Sequence, residues 1–298
     1  MTSAASAHFK TAQRRQRCVP RSMFTGRRWR WQLTTRLRSS SPPVLVSMRY
    51  GVAALSCPRP TPCPMPISFQ MDIHLEMMHA IGEVQDAPVV ADIDTGFGNA
   101  VNVAYVIPRY EAAGVAAVVM EDKTFPKDSS LRAGGRQELV PIAEFQGKLA
   151  AAKAAGAVLV IARTEALIAG LGQKEALRRG EAYAEAGADG VLIHSKQKTP
   201  DEILAFCRAW PGRVPLVLVP TSYPQLSFAD VTALGKVGLI ICGNHAIRAA
   251  VAAMQSTFRR ILAEGGIAGV ESDIASVAEV FALQGDEHMR KLEKAYLR

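Results

Sequence analysis

From Asp72 onward the chain alternates short apolar runs with longer amphipathic stretches. That is the pattern of repeated strand and helix units in a parallel sheet, because strands buried on both faces read as unbroken Val, Ile and Leu. Six runs read as strands: residues 89–93, 115–120, 158–162, 190–193, 216–219 and 239–242. Helical stretches at 142–155, 173–186 and 200–209 lie between them, with Gly156, Gly187 and Gly212 just beyond as C-cap signals. Residues 247–298 read as a long helical tail. Asp92, Asp94, Glu121, Arg163, His194 and Asn244 sit at or just after strand ends, where a (β/α)8 barrel keeps its chemistry. The expected fold is therefore an α/β TIM-type barrel. A closed barrel of this kind needs two strands more than residues 72–298 supply.

Composition changes the picture only at the front. At 49% hydrophobic and 21% charged residues, the chain can bury one large core. The net charge of +8 suggests a nucleic-acid or membrane surface until it is divided along the chain. Residues 1–71 hold twelve of the 35 Lys and Arg and none of the 27 Asp and Glu, so the remainder carries 23 basic against 27 acidic residues, or −4. A uniformly basic binding face is excluded, and the arm contains no recognisable nucleic-acid module. No nucleic-acid partner is expected. Nor is a membrane partner, since no run approaches the roughly 18 apolar residues of a spanning helix.

Residues 1–71 show neither strand alternation nor helical periodicity and are set apart from a barrel domain at 72–298. They read as a disordered basic tail, as an Arg- and Ser-rich transit peptide, or as barrel start translated out of frame. The five cysteines, at 18, 57, 63, 207 and 242, have neither metal-ligand spacing nor a disulfide pattern, which points to a reducing cytoplasm. Cys207 and Cys242 lie in apolar surroundings and read as inert buried thiols.

The segment Asp92-Ile-Asp-Thr-Gly-Phe-Gly-Asn99 puts two carboxylates on one side of an extended strand end. Such hard oxygens suit Mg²⁺; the alternative is an Asp pair capping the next helix. Residues 121–136 follow a strand and carry Pro, Gly and charge, which reads as a mobile lid or as plain solvated surface. Arg163 offers a guanidinium to an anionic substrate, or forms a rim ion pair with Glu165. His194 and Asn244 follow later strands, and a lone His can equally be a structural group.

Together these segments, with Glu121-Asp-Lys-Thr-Phe-Pro-Lys127, Ala162-Arg-Thr-Glu-Ala166, His194-Ser-Lys196 and Asn244-His-Ala-Ile-Arg248, resemble in order the phosphonopyruvate hydrolases of the phosphoenolpyruvate mutase and isocitrate lyase superfamily. The resemblance covers essentially all of residues 72–298. It implies hydrolysis of the carbon–phosphorus bond of 3-phosphonopyruvate to pyruvate and phosphate through a Mg²⁺-stabilised enolate, with Mn²⁺ or Co²⁺ as other divalent candidates. By the same resemblance, Asp92 binds the metal directly and Asp94 and Glu121 hold its water shell. Arg163, His194 and Asn244 contact substrate, and Lys127 and Ser129 come from the closing lid. It also implies a homodimer or homotetramer, with the helices of 272–296 exchanged between subunits.

The lid reads Lys127-Asp-Ser-Ser130. Superfamily lyases carry Lys-Lys/Arg-Cys-Gly-His there, mutases Lys-Thr-Asn-Ser and hydrolases Lys-Asp-Thr-Ser, so Ser129 keeps the hydroxyl of the hydrolase Thr. Ser129 for Thr and Thr164 for the usual Val are departures from the pattern. A mutase is the alternative of the same class, and an inactive barrel that has lost the front of its site is the alternative of another. If residues 50–70 are back-translated and read one base out of phase, they yield Trp-Gly-Ser-Gly-Pro-Glu-Leu-Ser-Ala-Ser-Tyr-Ala-Val-Pro-Asp-Ala-Asn-Ile-Leu-Ser. This resembles the family's second strand and substrate loop, including its Trp-Gly-Ser-Gly turn and active-site aspartate. On that reading the frame is regained near Met71.

Overall fold

The computed structural model describes residues 44–46, 71–84, 87–130, 132 and 134–298. They fall into two compact units, one ending at Gly243 and one spanning Asn244–Arg298. The Trp-Gly-Ser-Gly string discussed above lies outside the described residues.

In the first unit, seven strands form one parallel sheet: β1 (Val44–Val46), β2 (Val89–Asp92), β3 (Val115–Glu121), β4 (Leu159–Thr164), β5 (Gly190–Ile193), β6 (Leu216–Leu218) and β7 (Val237–Cys242). Their spatial order is β1-β7-β6-β5-β4-β3-β2. The six strands read from the apolar runs are all present. β1 is a correction, because residues 1–71 were expected to contain no strand. Three consecutive apolar residues are too short for a periodic signal, and they form a strand by pairing in parallel with the edge of β7, Val44 opposite Ile240.

Between these strands run α1 (Met71–Val84), α2 (Ala100–Ala112), α3 (Ile142–Ala155), α4 (Gly172–Glu185), α5 (Asp201–Ala209) and the short α6 (Phe228–Ala233). Alternate residues of each strand serve two cores. Val118 and Met120 of β3 pack with Val106, Ile107, Tyr110, Phe145 and Leu149 of the helical layer. Ala117 and Val119 point the other way and join Leu159, Ile161, Leu192, Val217 and Ile241 from four further strands. A single cluster drawn from β3 to β7 forms only if the sheet curls around it, so the architecture is an open (β/α) half-barrel with a filled interior.

Gly187 and Gly212 have φ of +99° and +78°, as helix-ending glycines do. Gly156 does not, since its backbone is extended at φ −165°. Its smallness serves close packing instead: a Cβ there would lie 2.5 Å from Glu111 Oε2 and 2.9 Å from Ile107 Cγ2.

The second unit is helical, as the tail was expected to be, and consists of three helices: α7 (His245–Glu264), α8 (Val277–Leu283) and α9 (Asp286–Tyr296). Gly265, left-handed at φ 68°, ends α7, and a Ser276–Glu279 capping box starts α8. None of the three helices buries a residue, and Phe258, Leu262, Val277, Phe281 and Leu292 are exposed. Among the described residues, no helix is long and apolar enough to cross a membrane.

Candidate active site

The site is built from the carboxyl ends of adjacent strands. β2 ends at Asp92, and the chain then turns through Asp94 at φ 60°, Gly96 at φ 88° and Phe97 at φ 58°. A left-handed aspartate costs on the order of 1 kcal/mol and persists only when its surroundings hold it. Two bonds do so here. The Asp94 N–H donates to Asp92 Oδ1 (3.0 Å), and the Glu121 N–H donates to the Asp94 carbonyl (2.8 Å). The buried Lys148 ammonium reaches the Thr95 carbonyl at 3.3 Å, and Gly96 is obligatory because a Cβ would collide with Val103 and Met120. The next helix is capped by Asn99, so the aspartate pair is not its cap.

Asp94 and Glu121 meet one cation, the Lys127 ammonium, 2.7 Å from Glu121 Oε1 and 3.3 Å from Asp94 Oδ1. The 121–140 segment therefore folds back over the strand ends that it leaves. Its two roots are tied together: Thr124 N–H donates to the Glu138 carbonyl, and Val140 N–H to the Asp122 carbonyl. Ser129, expected to offer its hydroxyl, is held through its backbone carbonyl by Arg132 N–H (3.1 Å) and Gln137 Nε2 (3.2 Å).

Arg163 closes β4 beside Glu121, with Nε 3.3 Å from Glu121 Oε2 and 2.6 Å from Glu165 Oε1. It forms the expected ion pair with Glu165 and lies beside the Glu121 carboxylate. Burial opposes its charge, but Glu165, Glu121 and Asp92 outweigh burial and hold its pKa above the ordinary arginine value. Asp92, Asp94, Glu121 and Glu165 against Lys123, Lys127 and Arg163 leave one formal negative charge in excess.

His194, just past β5, is 3% exposed, and its Nδ1 has no hydrogen-bond partner among the described residues. A satisfied structural histidine would have one. Burial first, then the Arg163 charge, lowers its pKa to about 4, so the ring is neutral near pH 7. Below about pH 6.5 an unfolded chain protonates this histidine while the folded chain does not until about pH 4. Its contribution to stability is thus full above 6.5 and declines by roughly 1.4 kcal/mol per pH unit across that window. Melting curves between about pH 7 and about pH 4.5 should show a shallower loss of stability in His194→Gln than in the parent, by one proton's slope; parallel slopes would contradict this. Asn244 opens the second unit, and its Oδ1 has no partner among the described residues.

A buried network behind the strand ends was missed in sequence. Asp122 accepts from Glu165 N–H (2.9 Å), Thr164 Oγ1 (3.1 Å), Tyr183 OH (2.7 Å) and Arg179 Nη1 (3.1 Å). Arg179 also donates to the Val140 carbonyl at 3.0 Å, so one arginine of α4 braces the root of the 121–140 segment and two strand ends. The signal available was an arginine in the buried stripe Ala176, Arg179, Gly180, Tyr183. Thr164, a departure from the family pattern, has its hydroxyl occupied here. Cys207 is inert as expected, with its thiol raised by burial to about 12.

Among the described residues, no group of three or more His, Cys, Asp or Glu is gathered as a ligand set. The donors nevertheless fit Mg²⁺, which takes one or two carboxylates and keeps its waters. The convergence of Asp94 and Glu121 on the Lys127 ammonium shows that these oxygens stabilise a cation at that point.

Residues 67–262 match the family model described as phosphoenolpyruvate phosphomutase. A phosphonopyruvate hydrolase of Variovorax sp. (strain Pal2) is 67% identical over 231 residues, covering 76% of this chain and 80% of the relative. A phosphoenolpyruvate phosphomutase of Tetrahymena pyriformis is 43% identical, covering 75% of each chain. A crystal structure of phosphonopyruvate hydrolase in complex with oxalate and Mg²⁺ matches with TM-score 0.73 and 62% identity, over 78% of this chain and 81% of that one. The half-barrel, the carboxylates at its strand ends and the extent of these matches agree: the chain belongs to the phosphoenolpyruvate phosphomutase family.

Proposed function

We propose that this protein hydrolyses the carbon–phosphorus bond of phosphonopyruvate, using Mg²⁺ held by Asp92 with Asp94 and Glu121 on its waters. The observation that carries the reading is one cluster with carboxylates converging on a cation, a guanidinium fixed beside them, and a buried imidazole nitrogen awaiting a partner. The identity of 67% to a phosphonopyruvate hydrolase, against 43% to a phosphomutase, favours hydrolysis.

Bound Mg²⁺ supplies Lewis-acid charge stabilisation and offsets the excess negative charge of the site. Nε and Nη2 of Arg163 are held by Glu165 and Ser130, which fixes the guanidinium plane so that its remaining edge can donate to the substrate's anionic oxygens. Neutral His194 presents Nδ1 as a hydrogen-bonding group without adding charge. As the carbon–phosphorus bond breaks, its electron pair passes to the methylene carbon of a pyruvate enolate, and a loose phosphoryl group is captured by water. The water's oxygen stays on phosphorus, which leaves as phosphate, and one of its protons ends on the methylene carbon to complete pyruvate. Lys127 and the rest of the lid exclude all but the attacking water. Phosphorus NMR of the products is the test, because a phosphomutase would return phosphoenolpyruvate instead.

Residues 1–71 are, on this account, barrel start read out of frame. The out-of-phase string over 50–70 resembles the family's second strand and substrate loop, the part of a closed barrel that residues 72–298 do not supply. The family match begins at residue 67, close to the point near Met71 where the frame would be regained. The apolar faces of α7 to α9 favour a homodimer or homotetramer in which they are covered by another subunit. The reducing-compartment reading of the cysteines favours the cytoplasm.

A further inference from the structure

Ser130, one position past the lid residue singled out by sequence, is bonded through its hydroxyl to three side chains. Its hydroxyl donates to Glu165 Oε2 at 2.5 Å and accepts from Lys123 Nζ at 3.0 Å and Arg163 Nη2 at 2.9 Å. One donor and two acceptor sites are all that a hydroxyl has, so every capacity is used. Its partners are equally committed. Lys123, 1% exposed, spends its three N–H bonds on Ser130, on the Asp128 carbonyl (3.0 Å) and on Glu165 Oε2 (3.1 Å). Glu165, fully buried, holds Arg163 with one oxygen and Lys123 and Ser130 with the other.

Three of these four residues belong to the strand ends and their immediate continuations, and they would remain paired with one another if the lid lifted. Ser130 alone belongs to the moving segment. Besides the Lys127 ammonium on Glu121 and Asp94, the lid meets the floor through the Ser130 hydroxyl and the Asp128 carbonyl, and of these three contacts only the hydroxyl reaches the guanidinium.

We propose that the Ser130 hydroxyl is a positioning group that latches the lid and, through the same bonds, sets the orientation of Arg163. Lid closure and alignment of the anion-binding edge are then one event. The second half rests on the reading of Arg163 as a substrate-binding group, while the first half stands without it. Ser130 then holds the segment that carries Ser129.

The test uses the full chain without ligand. Limited trypsin digestion is followed by mass spectrometry at the three lid sites, Lys127, Arg132 and Arg136, in the parent, Ser130→Ala and Ser130→Thr. Losing one hydroxyl bonded to three ionised groups raises the population of the open lid, and hence cleavage, by about tenfold or more in Ser130→Ala, with Ser130→Thr close to the parent. Equal rates in the parent and Ser130→Ala would overturn the latch. So would equal acceleration in both variants, because volume rather than the hydroxyl would then matter. In protein that turns over phosphonopyruvate, Ser130→Ala should also lower kcat/KM about tenfold and raise KM, whereas a merely structural role would lower the melting temperature and leave KM alone. Cleavage at the three lid sites is read without turnover, so failure of the functional reading leaves that half of the proposal testable.

Discussion

Replacing Arg163 with methionine is expected to lower kcat/KM for phosphonopyruvate by about a thousandfold or more, the loss typical of a charged group aimed at developing charge in a closed site. Stability should fall as well. Arg163 is one of two cations on each of the buried Glu165 and Glu121, and removing it leaves Glu165 with Lys123 and Glu121 with Lys127 alone, at a cost below the roughly 3–5 kcal/mol of a fully unpaired buried charge. Arg163→Lys separates the two effects. It keeps the charge, and so most of the stability, but a lysine cannot bond Glu165 and Ser130 at once while presenting a further planar edge. An intermediate loss in kcat/KM with a nearly normal melting temperature is the expected outcome. Turnover in Arg163→Met within tenfold of the parent would remove this residue from the proposed mechanism.

The second large effect concerns the front of the chain. A protein encoded with the reading frame restored over residues 50–70 should turn over phosphonopyruvate at least about a hundredfold faster than the chain with its present residues 1–71. The restored segment returns a loop and an aspartate to the site, and misplacement of catalytic groups by an ångström already costs that much. Equal turnover by the two proteins would show that the basic arm is a genuine part of a working enzyme.

The limits of reading this chain from sequence are physical ones. The six internal strands were legible because parallel strands buried on both faces become unbroken apolar runs, as the fully buried β4 and β5 illustrate. Val44–Val46 was not, since three residues carry no period and their strand exists only by pairing with β7. The positions of Asp92, Asp94, Glu121 and Arg163 at strand ends were legible because a barrel places polar residues there, whereas Lys127 was named only through the family resemblance. Lys123, Ser130 and Glu165 stood inside the same motifs but showed their importance only through contacts that bridge the lid and two strands. Arg179 and Tyr183 meet Asp122 across 57 and 61 residues, a pairing that no local pattern encodes. The glycine at 156 was read as a cap because it follows a helix, yet close packing against Glu111 and Ile107 explains it better.

The central claim is that this site breaks a carbon–phosphorus bond and delivers the phosphoryl group to water. Phosphorus NMR of phosphonopyruvate incubated with frame-restored protein and Mg²⁺, with a chelated sample alongside, tests it most directly. The account predicts inorganic phosphate as the phosphorus product, formed only while the metal is present. Phosphoenolpyruvate, or phosphate formation unaffected by the chelator, would contradict it.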